Sequence, residues 1–236
     1  MVAALVLALV QVTSPSGASV GVCAPATSAE SAPSAREMSL NLAYFSKSLW
    51  PCEHNRQFYG DWYGKHLRAM EEPSFAAVDA ARGYSRRYRL LVLPTFTPAY
   101  AIRIDVPLHG PVRATVVTET GAGGYDPGNK VPLWSYEIRE HHPGEMDDMV
   151  RGARIENRTN GAEPETPSGQ IVVCGDGTRY VFEELDADGT QHLVSRHQCD
   201  LDGDRPMIDL FYHMHRIGRL TVPYELMSVI AGPPGG

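Results

Sequence analysis

The residue placed most like a nucleophile is Ser19, at the centre of Gly17-Ala18-Ser19-Val20-Gly21. A Gly-x-Ser-x-Gly run serves acyl transfer when its serine sits on a sharp strand-to-helix turn of a folded sheet. Here the run follows the uncharged stretch VAALVLALV of residues 2–10 and a small-residue segment. No sheet frames it, and the match reads as coincidence. The loop Gly121-Ala122-Gly123-Gly124 suggests a phosphate cradle. A dinucleotide fingerprint, however, needs a third glycine where Asp126 stands and a helix opening behind it. An acidic side chain repels phosphate, and a strand pattern follows, so a wide hairpin loop with unusual backbone angles is expected.

Nine histidines raise the question of metal. His213 and His215 fall on a predicted helix, where residues two apart point to nearly opposite sides and cannot share an ion. His141 and His142 precede a helix and read as turn or capping residues. His197 and Cys199 share a strand face, but two further ligands would have to come from distant segments. Asp200-Leu201-Asp202-Gly203-Asp204 opens like a calcium loop. Arg205 and Phe211 then stand where that loop needs its glycine and its glutamate, so helix capping explains the acids better. Asp105, Glu119, Glu137, Glu183 and Glu184 lie on predicted strands, most of them expected on the solvated face, and no pair with glycosidase spacing stands out. No metal and no cofactor is therefore expected, and the catalytic residues are left unknown.

The cysteines are Cys23, Cys52, Cys174 and Cys199. An even count suits disulfides in an exported protein. Four cysteines allow three connectivities. Cys174 and Cys199 end predicted strands of one meander, which favours that pair, and Cys23–Cys52 follows by elimination. Export itself rests on residues 2–10, too short for the ~20 residues of a bilayer span and of the length of a signal-peptide apolar core. Ser16-Gly17-Ala18 offers cleavage after Ala18. The start lacks Lys and Arg, and Val22 before Cys23 argues against a lipid anchor. The expected organisation is a signal peptide at 1–18, a flexible leader at 19–54, one domain at 55–218 and a tail at 219–236. Apolar residues are 43% and charged residues 21% of the 236, which excludes a disordered acidic chain. A net charge of -7 excludes broad capture of nucleic acid.

The elements that must position any site follow from periodicity. Residues 55–71 place Tyr59, Trp62, Tyr63, Leu67 and Met70 at helical spacing, read as a core face rather than a ligand platform. FAAVDAAR, 75–82, reads as a second short helix between Ser74 and Gly83. Strands are predicted at 88–93, 100–106, 112–119, 133–139, 170–174, 179–185 and 191–197, with helices at 143–152 and 204–217. In the last helix Met207, Leu210, Phe211, Met214 and Ile217 form the buried side and Asp209, His213 and Arg216 the wet side. Hairpin-linked groups of strands imply an α+β fold, an antiparallel sheet of about seven strands with helices on one face.

Five segments, WYGKHLRAMEEPS (62–74), RLLVLPTF (89–96), IRIDV (102–106), GAGGYDPG (121–128) and DGTRYVFEE (176–184), together resemble a family of uncharacterised exported bacterial proteins. The resemblance spans roughly residues 58–217. It implies export and a single domain, and it carries no activity or catalytic residues. The family pattern has Trp where Tyr180 stands here, a change that keeps an aromatic core residue. The expected function is thus a non-catalytic binding or envelope-associated domain. Its partner would be an unknown protein or small ligand, met through the sheet or the Gly-rich loops. The mature chain is expected to have no transmembrane span. The alternative is a hydrolase whose site is built from dispersed His and carboxylate residues. A pocket uniting two carboxylates, or His with Asp and Ser, would favour the enzyme.

Overall fold

The structure, a computed structural model, describes residues 34–50, 52–121, 123–138, 143–155, 176–201 and 203–220. The signal-peptide and leader expectations at 1–33, the Ser19 motif, Cys23, His141 and His142, strand 170–174 with Cys174, and the tail from 221 all lie outside the described residues.

Helix α1 (Ala35–Leu42) opens with a capping box, in which Ser34 and Glu37 each satisfy the other's backbone N–H. It packs against α2 (Asp61–Ala69), where Asn41 Nδ2 donates to Asp61 Oδ1 at 2.8 Å. Folded structure thus begins well ahead of residue 55, correcting the expected leader boundary. The cap at Ser34 and the buried Phe45 and Trp50 supply the reason. A helical turn (Glu53–Asn55) and a π-helical turn (Arg56–Gly60) lead into α2.

The strands are β1 (Tyr84–Pro94), β2 (Tyr100–Pro107), β3 (Val112–Glu119), β4 (Lys130–Ile138), β5 (Thr178–Asp186) and β6 (Gln191–His197). They form one antiparallel sheet in the order β4-β3-β2-β1-β5-β6. The first four make a meander. The chain then crosses back through α3 (Pro143–Ala153), so β5 pairs with the free side of β1. Helix α4 (Arg205–Ile217) follows β6. The α+β class and the antiparallel sheet are as expected, with six strands described rather than about seven.

The helices cover both faces, not one. Tyr88, Leu90 and Val92 of β1 join Met146 and Val150 of α3 and Met207, Leu210, Phe211 and Met214 of α4 in one core. Leu91 and Leu93 face the other way, against Tyr63, Leu67 and Met70 of α2. The near-continuous apolar run of β1 already demands two covered faces, as in a central strand.

Residues 75–82 form turns, not the expected helix. Phe75 and Ala80 dip onto the sheet while Val78 is fully exposed. The guanidinium groups of Arg89 and Arg87 hold the carbonyls of Pro73 and Ala80, and both stack over Phe75. Side chains from the sheet thus take carbonyls that flank or lie within the segment, and Gly83 leaves it at φ +84. Among the described residues, no helix is long and apolar enough to cross a membrane.

Candidate functional site beneath the glycine-rich loop

The α2 face of the sheet has three zones, each fixed by register. At one end Arg87 lies opposite Asp105, and Arg89 between Arg103 and Glu183. Glu72 descends onto Arg103 at 2.6 Å and lies 3.7 Å from Arg89, which also binds Glu183. Burial raises the Glu183 carboxyl above the usual range, against the pull of Arg89. The middle zone is apolar: Leu91, Ala101 and Val181 lie in one row under Tyr63 and Leu67. At the far end Leu93, Arg179 and His197 stand side by side on β1, β5 and β6.

This geometry corrects the expectation that the strand carboxylates face water. Asp105, Glu119, Glu183 and Glu184 are all buried, and only Glu137 is substantially exposed. An Arg or His stands beside each buried one, and that pairing permits their burial. His213 of α4, expected on the wet side, is also buried. Its Nδ1 lies 3.7 Å from Glu145, while His215 bonds Tyr100 through Nε2 and Phe211 O through Nδ1. The two histidines serve different neighbours, as helical spacing requires.

The far end is closed by the loop at residues 120–129, which α2 grips from one side. The Gly124 carbonyl accepts from both Trp62 Nε1 and His66 Nε2 at 2.6 Å, and Lys65 Nζ donates to the Tyr125 carbonyl at 2.5 Å. Because a carbonyl only accepts, His66 Nε2 must carry hydrogen. His66 Nδ1 meets Glu119 Oε1 at 2.6 Å with both side chains fully buried, so one proton is shared between ring and carboxyl. Burial raises the Glu119 carboxyl, and its bond to His66 opposes this. Both ring nitrogens of His66 are committed, so this histidine anchors the loop.

Glycine is obligatory at the tightest points. A Cβ on Gly121 would lie 1.5 Å from the Asp126 carbonyl oxygen, and one on Gly128, at φ +59, 2.5 Å from the Gly121 nitrogen. Opposite the loop, Thr95 and Gly177 bind each other: Thr95 N and Oγ1 donate to Gly177 O, and Gly177 N donates back to Thr95 Oγ1.

Between loop and sheet lies a cavity of about 140 Å³. Trp62 forms one wall, with Tyr125 stacked on it at 5.8 Å. Leu93, Pro94 and Thr95 line it from β1 and the turn beyond, Gly124 and Tyr125 from the loop, and Gly177, Arg179 and His197 from β5 and β6. Four of the five segments, WYGKHLRAMEEPS, RLLVLPTF, GAGGYDPG and DGTRYVFEE, therefore contribute to this one place, and IRIDV does not. A volume of this size takes a compact group of about one six-membered ring.

Arg179 is the unusual member. Its guanidinium lies 5.7 Å from the centres of both the Tyr59 and Trp62 rings, and Nη1 donates to Ser195 Oγ at 3.1 Å. Ser195 in turn bonds the Tyr63 hydroxyl, whose pKa burial pushes up to about 12. Arg179 Nε is buried with no hydrogen-bond acceptor. The other described sheet arginines, Arg86, Arg87, Arg89, Arg103, Arg113 and Arg196, each have a carboxylate within 4.0 Å; among the described residues Arg179 has none.

Of the residues singled out by sequence, Trp62 serves as wall as well as core neighbour. His197 lines the cavity, its Nδ1 accepting from the Cys199 amide at 3.4 Å. Asp200 accepts from the His197 N–H, a local capping role. Cys52 precedes the first turn before α2 and Cys199 follows β6, and their expected partners, Cys23 and Cys174, lie outside the described residues. Arg179 was not singled out by sequence. The signal available was an arginine at the start of a strand, directly ahead of the apolar run Tyr180-Val181-Phe182. No protein-family model, no curated protein and no solved structure matches this chain.

Proposed function

We propose that the chain is a non-catalytic binding domain that holds a small ligand in the cavity between loop 121–128 and the β1–β5–β6 end of the sheet. The observation that carries this reading is Arg179, a guanidinium at a cavity with no carboxylate partner among the described residues, in a sheet whose other described arginines are all paired. Burying part of a cation without a counter-charge is costly, and a bound ligand offsets that cost. The lining supports binding over hydrolysis. His66, which shares a short bond with Glu119, sits outside the cavity with both nitrogens engaged. The described lining residues bring one histidine and one arginine together without a carboxylic acid, and the lining hydroxyl, Thr95 Oγ1, is tied to Gly177.

The test is a fragment screen on the isotopically labelled chain, read by amide shifts. Binders should move Gly124, Tyr125, Gly177 and Arg179 together. A screen whose hits all map to other surfaces would sink the proposal.

The location we propose is outside the cytoplasm, supported by residues 2–18 and by the resemblance to exported proteins, with disulfides Cys174–Cys199 and Cys23–Cys52. Peptide mapping of the protein from its own cells, without reductant, should recover those two linked pairs and a chain starting after Ala18. An intact Met1 with four titratable thiols would refute both parts.

A further inference from the structure

We infer that the ligand is a small organic monocarboxylate, its carboxylate on Arg179 and its compact body against Trp62 and Tyr125. This rests on the binding reading above and narrows it to a chemical class.

Charge comes first. Arg179 supplies a positive charge with no carboxylate partner among the described residues, and its planar fork matches a carboxylate. Nη1 is engaged by Ser195, which leaves the Nε edge as the buried donor lacking an acceptor. A dianion such as phosphate fits less well. Asp126 follows Tyr125 and Asp176 precedes Gly177, so acidic side chains flank two of the lining segments. One ligand charge is balanced by Arg179, and a second finds no further Lys or Arg in the described lining, in a protein of net charge -7.

Shape comes second. The cavity of about 140 Å³ is ring-sized. The indole of Trp62 is fixed by its bond to the Gly124 carbonyl and by stacking on Tyr125, which itself stays largely exposed. A preorganised aromatic wall beside a cation suits a ligand with an apolar or planar body and one anionic end.

Third, the site is braced for such a charge. Arg179 is held by Ser195, Tyr63, Tyr59 and Trp62, and His197 stands beside it in register. The side chain therefore keeps its direction when the cavity is empty.

The experiment titrates the full chain with benzoate, its neutral isostere benzamide, and inorganic phosphate, by calorimetry and amide shifts. Benzoate should bind about tenfold or more tightly than benzamide, as expected when a charge-assisted pair is lost, and rising ionic strength should weaken benzoate alone. Arg179→Gln should erase the difference. Arg179→Lys, which keeps charge and loses the fork, should retain part of it. Circular dichroism of both variants checks folding, and the salt dependence in the unaltered chain tests the charge without any variant. Equal binding of benzoate and benzamide in the cavity would overturn the carboxylate assignment and leave the binding reading standing. Phosphate binding more tightly than benzoate would also overturn it. No binding of any of the three, in a chain whose cavity takes other fragments, would remove the class alone; a cavity that takes no fragment removes both.

Discussion

Replacing Arg89 by Met should destabilise the protein by about 3–5 kcal/mol at neutral pH, the cost of removing one partner from a buried ion pair. Arg89 is fully buried. It binds Glu183, donates to the Pro73 carbonyl at 2.7 Å, lies 3.7 Å from Glu72 and stacks on Phe75. Without it, Glu183 keeps Gln191 Nε2 at 3.0 Å, and the 72–82 segment loses one of its three arginine anchors, Arg87 and Arg103 remaining. The loss should depend on pH with a definite sign. Burial already raises the Glu183 carboxyl above its unfolded value, and Arg89 is the chief group opposing that. A carboxyl raised on folding binds more protons in the native state, so it loses stability as pH rises through the window between the two values. Removing Arg89 pushes the folded value higher and widens that window. The deficit should therefore be smallest near the ordinary carboxylate pKa and grow toward neutrality. Adding Glu183→Leu should recover much of it, a coupling that a double-mutant cycle reads directly. Denaturant midpoints that match the unaltered chain at all pH values would contradict the network's role.

Gly121→Ala should open the glycine-rich loop and cost about 1–3 kcal/mol or more, the range for overpacking against atoms that cannot yield. The added methyl would lie 1.5 Å from the Asp126 carbonyl oxygen and 2.7 Å from the Pro127 carbonyl carbon, both backbone. Relief requires the two limbs of the loop to part. The Gly124 carbonyl would then leave Trp62 and His66, and the cavity would lose its roof. The variant should lose ligand binding more completely than it loses stability. Gly144→Ala is the control, since nothing lies within 4 Å of its added Cβ and it sits in the first turn of α3. It should be neutral or slightly stabilising. Equal thermal midpoints and equal binding for Gly121→Ala and the unaltered chain would show that the loop has room the structure denies it.

Periodicity carried much of the fold. The alternation of Tyr100, Ile102, Ile104 and Val106 places all four in one core, and Met207, Leu210, Phe211, Met214 and Ile217 are buried as their spacing demands. The failures have a common cause. Residues 75–82 have helical composition, but the groups that hold them are Arg87 and Arg89, donated from a strand that composition does not connect to them. Asp105 and Glu183 look like solvated strand positions until register sets arginines beside them. The site was hidden for the same reason. Trp62 belongs to an aromatic stripe that reads as core, and three of its neighbours, Tyr59, Tyr63 and Leu67, do pack there. That Arg179 lacks an acid is a statement about six other arginines and their cross-strand partners. Only the order β4-β3-β2-β1-β5-β6 makes that visible.

The most direct test of the ligand site uses one signal. The chain has three tryptophans, so three indole N–H resonances. Trp62 donates to the Gly124 carbonyl at the cavity wall, Trp134 to the Gly218 carbonyl beside edge strand β4, and Trp50 is buried against Phe45 and Tyr59. Titrating benzoate into the labelled protein should move the Trp62 indole signal progressively to saturation while Trp50 and Trp134 stay still. A Trp62 signal that remains fixed while Trp134 moves would place binding at the β4 edge and contradict the account.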